Sequence, residues 1–320
     1  MDTEVKSTVN KNIGTPYDDA FRTMTNDCSQ LLIPMVNEIF GKHYRGDEKI
    51  IFHPNEHYLN QQDGNEDKRI TDCDFSIIGE TEERYSFECQ SLPDNSMLVR
   101  IFEYVTQIAL DAGSILGDTL EVTIPNAAVL FLRSTSSTPD QMKILMHTPG
   151  GDVEFGIPVM KIKQYTIESI FEKKLYFLIP FFIFNRESDF KTYEADSSQL
   201  EQLKQEYSEI LTKLEEAAAQ GDLPYYYMRS IIDMTKLVLE NIAKKFERIK
   251  EGVNSVMGGR ILEHESKTIY NEGRNETLQH IILHMYKNGM KAEDIAKMID
   301  TSVNLVEQFI NSPVPAANNV

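Results

Sequence analysis

Cysteine is scarce. The 320 residues hold three, Cys28, Cys73 and Cys89, with no CxxC spacing. That count argues against a disulfide framework and against a thiolate zinc site. Cys73 and Cys89 stand in runs that read as strands, where a thiol serves as a small buried hydrophobe. Long apolar runs are missing too. Crossing a bilayer takes roughly 20 apolar residues. The most apolar piece, LYFLIPFFIF at 175–184, is about half that length, holds a proline, and reads as a buried strand or core segment. The opening MDTEVKSTVNKN carries no apolar signal region. A cytoplasmic location with no membrane partner is therefore expected. No P-loop, GxGxxG, GxSxG or kinase motif occurs, which argues against a nucleotide-driven ATPase, a dinucleotide enzyme and an α/β-hydrolase. Positive charge is also short, with 32 Lys and Arg against 50 Asp and Glu, a net charge of −18. Such a chain does not hold nucleic acid through its overall field; a local basic patch or bridging metal ions would be needed.

What is present alternates between two periods. Residues 1–13 read as disordered. Residues 15–41 read as helix in two parts, with Pro16 at the first helical position and Asp18 and Asp19 in the first turn, where the helix dipole favours acids. Residues 42–69 are polar, with strand character only at Ile50–His53. RITDCDFSII (69–78) and YSFECQS (85–91) then read as two strands of a hairpin. SMLVRIFEYVTQIALDAG (96–113) has one apolar helical face, and NAAVLFLR (126–133) is a buried strand. A hairpin follows around Pro149-Gly150-Gly151, then a short helix at 167–173. Beyond residue 190 the pattern is helical throughout, with apolar stripes through Leu200, Leu203, Tyr207, Ile210 and Leu214 and through Met228, Ile231, Ile232, Val238 and Leu239. Fold class is α/β with an all-helical C-terminal extension. The expected divisions are a domain at 14–190, a helical hairpin or coiled-coil arm at 191–260 and a small helical tail at 261–320.

The chemistry gathers in the first hairpin. Strand alternation puts Glu88 and Gln90 on one face, with Phe87 and Cys89 on the other. Asp72 and Asp74 likewise share a face, opposite Phe75 and Ile77. Pairing of the two strands across the 79–84 turn lets their acids converge, and paired carboxylates are the donors that hard divalent cations take. Spacing alone favours a plainer reading, a solvent-facing strand face.

A resemblance changes that balance. YDDAF (17–21), KRITDCDF (68–75), FECQS (87–91) and MLVRIFEYVTQIAL (97–110), in this order, resemble the Rpn-type branch of the PD-(D/E)XK nuclease superfamily, the recombination-promoting nucleases also described as transposases of mobile elements. The similarity covers about residues 14–190. It implies a restriction-endonuclease-like core, a mixed central sheet flanked by helices, and a metal-dependent DNA endonuclease using Mg²⁺ (or Mn²⁺ or Ca²⁺). In that branch Gln commonly replaces the superfamily's last Lys, so ECQ fits the branch and departs from the wider pattern. Residue by residue, the resemblance implies Asp72 and Glu88 as metal ligands, helped by the Cys89 carbonyl. It sets Gln90 at the catalytic Lys position and Asp18 as the supporting helix acid. Asp74 is the alternative to Asp72. Arg100 and Tyr104, one helical turn apart, would contact a DNA backbone; equally, they read as an Arg snorkelling from a core helix with a Tyr at its edge.

Weaker signals complete the inventory. His280 and His284 have zinc-like spacing but no third ligand, and read as surface or packing residues. The tail has a helix-turn-helix rhythm, yet its charges nearly cancel, so protein packing is favoured over DNA contact. The helices of 200–246 are a packing hairpin or the seam of a homodimer. Two functions of different class thus stand: a metal-dependent DNA endonuclease, and a catalytically inactive nuclease-fold protein acting through protein–protein contacts.

Overall fold

The computed structural model describes residues 16–53, 73–91 and 97–257, the backbone course of 56–60 and 66–70, and isolated positions between 282 and 306. Asp72, His280, His284 and the segment 1–13 lie outside the described residues. The helices are α1 Pro16–Asp27, α2 Leu32–Phe40, α3 Met97–Asp111, α4 Ile167–Glu172, α5 Phe190–Ala195, α6 Ser197–Ala219 and α7 Tyr225–Ile242. The strands are β1 Lys49–Phe52, β2 Glu56–Asn60, β3 Glu66–Ile70, β4 Cys73–Ile78, β5 Glu82–Gln90, β6 Ser114–Leu116, β7 Thr119–Glu121, β8 Asn126–Phe131, β9 Gln141–Thr148 and β10 Gly151–Lys161. Six strands form one mixed sheet in the order β1-β4-β5-β8-β10-β9. β1, β4 and β5 run antiparallel to their neighbours in turn, β5 and β8 are parallel, as are β8 and β10, and β9 returns antiparallel. The α/β class expected from the sequence is therefore present.

Alternation decides what each face of the sheet buries. On one side Phe75, Tyr85 and Phe87 stack together, with Phe75 and Phe87 ring centroids 5.5 Å apart, and Phe40 of α2 closes over Tyr85 at 5.3 Å. On the other side α3 lays Met97, Ile101 and Val105 over Ala127, Val129, Phe131, Ile157 and Val159. The β5–β8 register sets Ser86 opposite Ala127, Glu88 opposite Val129 and Gln90 opposite Phe131. Partners in register point to the same face. Glu88 and Gln90 thus look towards the α3 side, as their alternation with Phe87 and Cys89 requires.

Several local expectations change. The run 69–78 is not one strand: β3 pairs with β2 in a separate ribbon, and only Cys73–Ile78 enters the main sheet. The polar composition of 54–66 hides that ribbon, because its strands bring no apolar alternation. The apolar run at 175–184 is a 3₁₀ stretch, Tyr176–Asp189, buried from Tyr176 through Phe184. Pro180 lacks the N–H that a central strand would use, which removes the strand alternative. The stretch meets α1, Phe21 lying edge-on to Phe177 at 5.2 Å.

The expected boundary near residue 190 does not divide the structure. The described residues up to 256 form one compact unit. α7 packs on α1 and on the 3₁₀ stretch, and ion pairs cross position 190: Arg186 forks onto Glu206 at 2.9 and 2.6 Å, and Lys174 reaches Asp222 at 2.9 Å. α6 starts where Asp196 caps the Ser198 N–H at 2.8 Å. The apolar stripes of α6 and α7 are buried within the chain, from Leu203, Tyr207 and Ile210 to Ile231 and Leu239. They are core, not a detached arm. Residues from 257 onward form a second unit, in which Ile282, Ile295 and Val306 make a small apolar cluster.

Candidate functional site

The site grows from the middle of the sheet. β5 lies between antiparallel β4 and parallel β8 and carries Glu88 and Gln90 at its carboxyl end. Glu88 is only 6% exposed, and Gln90 is half-buried. Ligands of open α/β sheets gather outside the carboxyl ends of parallel strands, and this is the end where the two residues sit. At the same level the Leu132 N–H donates to the Gln90 carbonyl at 2.9 Å, extending the β5–β8 pairing past Phe131.

The alternative ligand Asp74 has a different occupation. It is fully buried, and the Arg84 guanidinium grips its two oxygens, Nε to Oδ1 at 2.9 Å and Nη2 to Oδ2 at 2.5 Å. Asp74 faces Ser86 across the hairpin and Arg84 faces Ser76. The fork therefore runs diagonally between strands on one face, and Asp74 is a partner of Arg84. Sequence reading missed Arg84, because its diagonal pairing with Asp74 is set by the strand register.

His53 and Ser76 continue this polar row, the His53 Nε2 lying 2.7 Å from the Ser76 hydroxyl. Burial lowers the His53 pKa, Arg84 lowers it further, and Asp74 and Glu82 oppose the shift. The sign follows directly. A base whose folded pKa is depressed takes up its proton first in the unfolded chain, so acidification favours unfolding. The expected result is a thermal midpoint that falls as pH drops below the ordinary imidazole value of about 6.5. His53→Gln should flatten that slope relative to wild type in melts between neutral and mildly acidic pH. Parallel slopes in the two proteins would refute the assignment.

The remaining expected residues lie on α3 and α1. Tyr104 lies on the core side of α3 at 7% exposure, while Arg100 is half-buried on the same helix. Asp18 is half-buried in the first turn of α1. That turn reaches the end of β5 through Arg133, two residues past β8. The Arg133 guanidinium lies 5.7 Å from the Tyr17 ring and donates to the Ser91 carbonyl at 3.4 Å. Arg133 was read only as the end of a buried strand. The three cysteines are buried, and burial pushes the Cys28 thiol up to about 11. Cys73 and Cys89 are buried, as expected of small hydrophobes in strands.

A separate cleft of about 820 Å³ opens at the other end of the β4–β5 hairpin, between Lys42–Lys49 and Ile78–Glu83. There Lys42 binds Glu83 at 2.6 Å and the Tyr44 and Tyr85 hydroxyls meet at 2.8 Å. None of the expected site residues lines it.

Among the described residues no three His, Cys, Asp or Glu side chains gather as a metal cage. The described donors at the β5 end therefore do not complete a centre by themselves. The oxygen chemistry of Glu88 and Asp18 suits a hard cation, and the other expected ligand, Asp72, lies outside the described residues. No family model, curated protein or solved structure matches this chain. No helix among the described residues is long and apolar enough to cross a membrane.

Proposed function

We propose that this protein is a divalent-metal-dependent DNA endonuclease with a PD-(D/E)XK core of the Rpn type, serving recombination or mobile elements. The observation that carries the reading is the position of Glu88: a carboxylate 6% exposed, beside Gln90, at the carboxyl end of a central strand. Ligands of open α/β sheets gather at the carboxyl ends of such strands. Asp72 and Glu88 are the proposed ligands of Mg²⁺, Mn²⁺ or Ca²⁺, with Asp18 in support. Asp74, gripped by Arg84, serves the hairpin instead.

A bound divalent ion would polarise the scissile phosphate and lower the pKa of an attacking water. The chain's own residues do the rest. Gln90 is neutral and cannot take the proton; its amide orients the water through hydrogen bonds. Arg100 supplies positive charge for the DNA backbone in a chain whose net charge opposes DNA. The test is plasmid nicking by the purified protein with Mg²⁺, Mn²⁺ or Ca²⁺ and with EDTA, alongside thermal melts with and without Mn²⁺. Nicking that needs the ion, and a midpoint raised by it, is the expected outcome. A folded protein that neither nicks nor responds to Mn²⁺ overturns the reading in favour of an inactive nuclease fold working through protein contacts.

A further inference from the structure

Three segments distant in sequence meet on the Arg133 guanidinium. Arg133 donates from Nε and Nη2 to the Glu187 carboxylate at 2.5 and 2.8 Å, and from Nη1 to the Ser91 carbonyl at 3.4 Å. Its flat face lies 4.6 Å over the Phe184 ring and 5.7 Å from the Tyr17 ring. Tyr17 in turn lies edge-on to Phe184 at 5.1 Å. Tyr17 lies in the first turn of α1, Ser91 directly follows β5, and Phe184 and Glu187 belong to the 3₁₀ stretch. Each contact has a neighbour of chemical interest. Tyr17 precedes Asp18, Ser91 follows Gln90, and the Leu132 N–H already holds the Gln90 carbonyl.

We propose that Arg133 is the positioning residue of the candidate metal site: it fixes the first turn of α1 to the carboxyl end of β5, so that Asp18 and Glu88 act on one ion. The inference rests on the proposed function. With both oxygens of Glu187 on its fork, Arg133 is neutralised and is not a cation for substrate. It is held instead by four unlike restraints at once: a bidentate carboxylate, a carbonyl and two aromatic rings. A planar fork that stacks and pairs in this way is beyond an ammonium group. Groups that orient metal ligands from outside the first layer change metal affinity by about 10–100-fold when removed.

The experiment uses Mn²⁺ as the probe, titrated into the full-length protein and followed by electron paramagnetic resonance, with nicking rates in parallel. The proteins are wild type, Glu88→Gln, Arg133→Met, Arg133→Lys and Glu187→Gln. In the expected result Glu88→Gln abolishes Mn²⁺ binding. Arg133→Met and Arg133→Lys weaken it about tenfold or more, and kcat for nicking falls while KM for the plasmid stays within about twofold. Glu187→Gln, which keeps the guanidinium on its aromatic faces, loses less and remains informative where Arg133→Met fails to fold. A folded Arg133→Met or Glu187→Gln that binds Mn²⁺ like wild type, in a background where Glu88→Gln does not, overturns the positioning role alone. Wild type that binds no Mn²⁺, or binds it independently of Glu88, overturns the proposed function and this inference together.

Discussion

Replacing Glu88 by Gln is expected to abolish metal-dependent nicking and leave the protein folded. Glu88 is 6% exposed, so its side chain fills a packed position, and Gln keeps that volume. What it removes is the negative charge. Loss of an outer-layer partner alone costs about 10–100-fold in metal affinity; loss of a ligand should exceed that, so nicking should drop by about a hundredfold or more. The fold should survive, because Gln keeps the shape and can still hydrogen-bond from the same position. The two readouts therefore separate: activity and the Mn²⁺ response vanish, while the protein without metal still melts cooperatively. Full nicking by Glu88→Gln would place the chemistry elsewhere than on β5.

Asp74→Ala should do the reverse. Asp74 is fully buried, while the Arg84 side chain keeps 21% exposure. Removing one partner of a buried pair costs about 3–5 kcal/mol, because the other charge is left uncompensated. Arg84 can still turn partly towards water, so the lower end, about 3 kcal/mol, is the expectation. Urea unfolding measures it directly. The Mn²⁺ response of the folded fraction should survive. A variant that stays stable but loses that response would make Asp74 the ligand after all, and the Arg84 fork incidental.

The contrast proposed between the two acids marks what the sequence made legible. Period-2 alternation was enough to give Glu88 and Gln90 a common face, and apolar stripes were enough to give α3, β8, α6 and α7. The diagonal from Asp74 to Arg84 was not legible, because it depends on a register that strand propensity does not contain. Nor was the Arg133 hub, which joins positions 17, 91, 133, 184 and 187 through the tertiary fold. The β2–β3 ribbon escaped because its residues are polar and carry no periodic signal. The 3₁₀ stretch escaped for the opposite reason: residues apolar on every side have no period to read. The boundary expected at 190 came from a shift in composition, and composition cannot say that α7 folds back.

That return of α7 has a consequence for how the protein is made. The apolar side of α1, with Ala20, Phe21 and Met24, and Cys28 just past it, is buried; Phe21 meets the 3₁₀ stretch and α7 packs on the helix. Burial of Cys28 is joined by a contact with Ser230. The covering helix is translated roughly 200 residues after α1, which at typical synthesis rates means a delay on the order of ten seconds or more. Through that interval the apolar side of α1 lacks the α7 part of its cover. The native packing of α1 against α7 can therefore form only after residue 242 has been made.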